Sequence, residues 1–216
     1  MKVICIKNGG RGLTTLRARQ KEDRRKRIVL SAKALFKEKG YEKTTIENIA
    51  EATGVSGVTV HNYYGTKAGV LLALVVENDE ALIARLNESL PREDIDLVEL
   101  VVAFAHVIMD HAITHLDKEI WRQVIAAVTT EAGTRLSEAY FKLDQQLAYV
   151  LVNRIEAAQA AGAIPEKVDP VHLGKALFHL QNARFIQFIS SDDMTRDEIE
   201  TRLRNDMGAL FSVCIG

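Results

Sequence analysis

The sequence predicts an all-α protein: an N-terminal three-helix domain followed by a larger helical domain. Three observations carry this. Only 3 Pro and 13 Gly occur in 216 residues, and long stretches hold neither, which disfavours a turn-rich β protein. Apolar residues recur at helical spacing in one segment after another. Charge is divided along the chain: residues 1–67 carry 15 Lys and Arg against 6 Asp and Glu, the remainder 13 against 23. A basic first third on an acidic remainder suggests an anion-binding module joined to a soluble partner module. With 47% hydrophobic residues, packed cores are accessible to both.

The elements follow in order. Gly9, Gly10 and Gly12 among basic residues predict a poorly ordered basic arm over 1–23. Ile28, Ala32, Leu35 and Phe36 form one apolar stripe, so 24–39 reads as a helix closed by Gly40. Thr44 is the expected cap of the next helix, with Glu47 completing a capping box. That helix buries Ile46, Ile49 and Ala50 and ends at Gly54. Val55 plugs the turn, Ser56 caps a short helix GVTVHNYY, Gly65 ends it, and Thr66 caps a helix running from Lys67 to about Leu90. Further helices are expected over 95–116, 118–131 and 134–161. Asp169-Pro170 starts another, with Pro where the first turn tolerates it. Thr195 with Glu198 starts the last. The expected domains are thus 24–70 and 71–216.

Several classes are disfavoured. Cys5 and Cys214 lie at opposite ends of the chain, with neither disulfide nor metal-ligand spacing, which predicts a cytoplasmic protein. No signal-peptide core is visible, and no apolar run approaches the ~18 residues of a membrane span. Phosphate-loop and nucleophile-elbow motifs are absent, and no His is preceded three residues earlier by Glu as a di-iron bundle requires. Neither an enzyme nor a cofactor is expected.

Two short helices joined by a turn with Gly54 and Val55 match the helix-turn-helix pattern. The second helix of such a motif must carry small or polar residues at its start for its backbone to approach base edges. Ser56, Gly57, Val58, Thr59, His61 and Asn62 meet that need. The wider pattern is more specific: Phe36-x3-Gly40-Tyr41, Thr44-Thr45-Ile46-x2-Ile49-Ala50, Gly54-Val55-Ser56 and Thr59-Val60-x2-Tyr63-Tyr64-Gly65-Thr66-Lys67. Over residues 24–75 it resembles the TetR family of repressors. The resemblance implies three DNA-binding helices and a dimerising, ligand-binding domain. It implies phosphate contacts from Thr45 and Lys67. It implies a recognition surface of Gly57, Val58, Thr59, His61, Asn62 and Tyr63, with Val60 and Tyr64 facing the core. The sequence departs from the family at His61, Tyr63 and Tyr64, where Tyr, His and Phe are frequent, and this bears on the operator.

In the larger domain, aromatics lie mid-helix. Phe104, Trp121, Tyr140 and Phe178, with His111 and Asn182 as polar anchors, are the candidate lining of a small-molecule cavity; ordinary core packing is the plainer reading. The apolar stripes of the last two helices (Leu173, Ala176, Leu177, Leu180; Leu203, Met207, Leu210, Phe211) are candidates for a homodimer face. The partners expected are therefore double-stranded DNA, a small-molecule effector and a second copy of the chain, with no membrane. Two alternatives stand: a metal-responsive regulator using the His106–His115 cluster, where i, i+4 pairs share a helix face, and a non-switching architectural DNA-binding protein.

Overall fold

The computed structural model describes residues 11–76, 79–91, 96–130 and 133–214, with side chains for 16–76, 80–91, 96–130, 133–134 and 137–212. Residues 1–10 of the expected basic arm lie outside the described residues. The described elements are all helical: α1 Arg11–Lys39, α2 Ile46–Thr53, α3 Gly57–Tyr64, α4 Lys67–Val76, α5 Asp79–Ser89, α6 Leu97–His115, α7 Lys118–Thr130, α8 Arg135–Ala160, α9 Pro170–Ser190 and α10 Arg196–Cys214. They divide into two compact units, Met1–Leu74 and Val75–Gly216.

In the first unit, α2 packs against both α1 and α3. Ile28, Val29, Ala32 and Phe36 of α1, Ile49 and Ala50 of α2, Val60 of α3 and Val70 and Leu71 of α4 are buried. Helix α1 starts well before residue 24, so residues 11–23 are helical rather than a loose arm. Residues 13–23 contain neither Gly nor Pro, and Leu, Arg, Ala, Gln, Lys and Glu, all good helix formers, make up most of them. The cap of α2 also differs from expectation. Thr44 is buried, and its hydroxyl donates to the Gly40 carbonyl at 2.9 Å. The cap is Thr45, and Asn48 rather than Glu47 closes the box: each backbone N–H donates to the other's side-chain oxygen at 3.1 Å. Thr44 turns inward because the end of α1 leaves a carbonyl to satisfy. Gly54 follows at φ 67°, a left-handed conformation that costs Gly little.

The helix expected over 67–90 is seen as α4 and α5, on either side of residues 77–78, which lie outside the described residues. Thr66 caps α4 by accepting the Gly69 N–H at 3.0 Å. A Cβ on Gly69 would run into the Tyr64 carbonyl, so glycine is required where α4 leaves α3.

In the second unit, α6 buries nine residues, including Leu100, Phe104 and Met109. By length and mean hydropathy (1.6) α6 is apolar enough to cross a membrane, although Glu99, His106 and Asp110 break it into shorter apolar runs. Its packing is that of a core helix: half of it is buried, Glu99 pairs with Arg204, and Asp110 pairs with both Arg85 (2.8 Å) and Arg196 (2.7 Å). Helices α8 and α9 approach closely at Gly174, where a Cβ would come within 2.8 Å of the Val152 backbone. Lys118 of α7 donates to the Ser191 (2.8 Å) and Met194 (2.7 Å) carbonyls and lies 4.0 Å over the Phe188 ring, tying α7 to the α9–α10 connection.

Candidate nucleic-acid interface

Helix α3 is short because its sequence carries both stop signals. Ser56 caps it, accepting the Thr59 N–H at 3.2 Å, and Gly65 ends it at φ 74°. Val60 points into the core with no exposure. The Tyr64 hydroxyl donates to the Arg25 carbonyl at 3.1 Å, pinning the end of α3 to α1; Tyr64 is half-buried, a brace as much as a core residue.

The other side of α3 is open. Val58 is 69% exposed, too far out for any role in the core. His61 and Asn62 are exposed; Thr59 and Tyr63 are half-buried. The Thr59 hydroxyl lies 2.9 Å from that of Ser56. A Cβ on Gly57 would meet nothing within 4 Å, so the chain itself does not require glycine there. The missing side chain opens the first turn to another molecule. The helix holds no Asp or Glu, so nothing on it repels a phosphate, while Val58, His61 and Asn62 offer a methyl pair and two hydrogen-bonding heads for base edges.

Thr45 is exposed at the start of α2. Its hydroxyl oxygen accepts within the capping box, which leaves its own proton available to an anion. Lys67 is held more firmly than a solvated lysine. Its ammonium donates to the Tyr41 carbonyl at 2.8 Å and the Glu42 carbonyl at 3.4 Å, and sits 4.1 Å over the Tyr41 ring. It thus ties the start of α4 to the α1–α2 turn, a structural duty that its place after Gly65-Thr66 did not disclose.

In the second unit the candidate effector residues sort into contacts. Phe104 and Phe178 are fully buried and meet edge to face at 6.3 Å. Trp121 donates its indole N–H to the Ala112 carbonyl at 3.1 Å and stands edge-on to Phe185 at 5.3 Å. Tyr140 is buried, and burial pushes its hydroxyl pKa up. His111 is half-buried, and burial lowers its pKa to about 4, so it is neutral at pH 7. Asn182 is half-buried. Two polar residues were missed. Asp144 is held by burial at a pKa of about 6. Gln181, 2% exposed, has a side-chain carbonyl with no hydrogen-bond partner. Each lies on an apolar stripe, with Tyr140 and Leu147, or with Leu177 and Phe185; a polar residue interrupting such a stripe was the available signal.

The histidine cluster serves three separate ends. His106 Nδ1 is 2.7 Å from Glu200, Asp110 lies between two arginines, and His115 Nδ1 lies 2.8 Å from the His111 carbonyl with the two rings 4.2 Å apart. Among the described residues no group of three His, Cys, Asp or Glu is placed to hold a metal ion.

An all-helical chain carrying an N-terminal helix-turn-helix of this geometry defines a DNA-binding transcriptional regulator. Residues 28–74 match the family described as bacterial regulatory proteins, tetR family. The HTH-type transcriptional regulator UidR of Escherichia coli K12 is 23% identical over 177 residues, covering 80% of this chain and 85% of UidR. Among solved structures, Salmonella enterica GusR shares the fold with a TM-score of 0.62 at 21% identity, over 87% of this chain and 95% of GusR. Thermus thermophilus FadR, a repressor solved with lauroyl-CoA, has a TM-score of 0.60 at 22% identity, over 83% of this chain and 91% of FadR.

Proposed function

We propose that the protein is a homodimeric repressor that reads a palindromic operator and is released by a small-molecule effector. The observation that carries the reading is α3: a capped helix braced from behind by Val60 and Tyr64, with Val58, His61 and Asn62 left exposed. In this reading Ser56, Gly57, Val58, Thr59, His61, Asn62 and Tyr63 face the major groove, while Thr45 and Lys67 meet phosphates. Two-fold symmetry puts the two α3 helices about 34–36 Å apart. Effector binding among Phe104, His111, Trp121, Tyr140, Phe178 and Asn182 favours a geometry with the wrong spacing, which requires different effector affinity for the two states. A buried amide carbonyl without a partner supports a ligand that donates a hydrogen bond there. FadR in complex with lauroyl-CoA is a precedent for a repressor of this fold that binds a small molecule.

Selection of sites from a random duplex pool by the purified protein, at near-physiological salt, tests the reading. An enriched palindrome with half-sites one helical turn apart supports it. Binding without enrichment, fading only as salt rises, overturns specific recognition and favours the architectural alternative.

A further inference from the structure

Helix α1 extends past the core it helps to build. Among the residues of α1 whose side chains are described, Ile28 is the first buried, and residues 16–27 are all exposed. The family match also begins at 28, so this extension lies outside the matched domain. Along a helix, positions 17, 21, 24 and 28 fall on one stripe. Ile28 faces the core, so Arg17, Lys21 and Arg24 continue the core-facing stripe beyond the point where the core ends. Their neighbours at i±3 and i±4 include no Asp or Glu; Glu22 and Asp23 fall beside Arg19, Lys26 and Arg27 instead. None of the three cations forms an ion pair with a described residue. The bond from the Tyr64 hydroxyl to the Arg25 carbonyl places the Arg24 end of this stripe near the end of α3.

We propose that Arg17, Lys21 and Arg24 form a ladder gripping the phosphate backbone of duplex DNA that flanks the site read by α3. The inference rests on the helix-turn-helix reading above. At 1.5 Å per residue the ladder spans about 10 Å, roughly three base-pair steps of rise along the duplex axis. DNA is the occupant that fits, because the stripe is purely cationic and adjoins the recognition helix on the side where the helix-turn-helix packs. Being independent of bases, the ladder raises affinity and widens the footprint without altering the sequence selected.

The test uses the full chain and two variants that each remove three positive charges: R17Q/K21Q/R24Q, and R19Q/K26Q/R27Q from the other side of the helix. Each is titrated with salt against a selected duplex carrying ten flanking base pairs per side, and against the same duplex trimmed to the selected site. The expected result is a log–log salt slope shallower by about 3 per protomer for the ladder variant on the flanked duplex. On the trimmed duplex it should match the parent, and the other variant should change the slope by less than about 1. Equal slopes for the two variants, with the parent binding normally, overturn the ladder alone. A lower Tm for the ladder variant with unchanged DNA binding also overturns it and assigns the stripe to an acidic surface of the protein. A parent that binds neither duplex brings down the helix-turn-helix reading and the ladder with it.

Discussion

At the scale of single residues, some candidate contacts also have a structural duty, from which the effect of a mutation on binding must be separated. Ser56 both caps α3 and sits at the expected DNA face. Ser56→Ala is expected to cost about 1 kcal/mol of stability through the lost cap, read by urea unfolding, whereas Asn62→Ala, exposed and without a cap role, should leave stability unchanged and weaken binding by about 1–3 kcal/mol at one base pair of the selected site. Identical losses of operator affinity and stability for both would contradict the division. Lys67→Ala removes a tie to the Tyr41 carbonyl as well as a charge. It should lower Tm and also make the salt slope shallower by about one per protomer; an unchanged slope would leave Lys67 with its structural duty alone. Asp144 gives a pH signature. Burial raises its folded pKa to about 6 from 3.8, so its contribution to stability is fully present below pH 3.8 and is lost as pH rises through about 6. Asp144→Asn keeps the shape of the neutral acid, so its stability advantage over the parent should grow from pH 4 to 7 and then level off. His111, lowered to about 4, acts with the opposite sign, losing stability as pH falls from 6.5, and cancels in the comparison. An advantage independent of pH would sink the assignment to burial.

At the scale of elements, the fold depends on a few close approaches. Helices α8 and α9 meet where Gly174 lies against the Val152 backbone. Gly174→Val must push the helices apart or bend one, and overpacking of this kind costs about 1–3 kcal/mol or more. A thermal melt of the second unit unchanged by Gly174→Val would show the approach to be loose. The α6–α10 contact is laced by Glu99–Arg204, His106–Glu200 and Asp110–Arg196. Such partly exposed pairs each contribute little, and they set the register of α10 on α6 more than its affinity. The buried Ile199, Leu203 and Met207 of α10 supply the stabilising area.

At the scale of the whole molecule, the question is what covers the exposed apolar residues of the second unit. The stripe expected to face a second copy divides: Leu177, Leu203 and Met207 are buried within the chain, while Leu210 (53%) is exposed on α10; Ile186 (39%), which was not part of that stripe, is exposed on α9. If the dimer uses these two helices, Ile186→Asp with Leu210→Asp should convert a species of twice 24.0 kDa into one of 24.0 kDa in light scattering. The double variant should lose most of its operator affinity while its helices remain. A parent already at 24.0 kDa at micromolar concentration counts against the dimer itself.

Local chemistry determined much of this protein from the sequence alone. Gly54, Ser56, Gly65, Thr66, Asp169-Pro170 and Thr195 with Glu198 act within one turn of themselves, so the helix starts and stops they mark, and with them the helix-turn-helix, were legible. What escaped depends on partners distant in the chain. Thr44 and Thr45 are chemically alike, and only the free Gly40 carbonyl decides which turns inward. The grip of Lys67 on Tyr41 spans 26 residues, and that of Lys118 on Met194 spans 76. His106, Asp110, His111 and His115 look like one cluster by spacing, but a helix turns successive residues through about 100°, and neighbouring helices gave each side chain a different partner. Whether an apolar stripe is core or surface, as between Met207 and Leu210, was settled only by which helix packs against it, because periodicity records that a face is apolar and not what covers it.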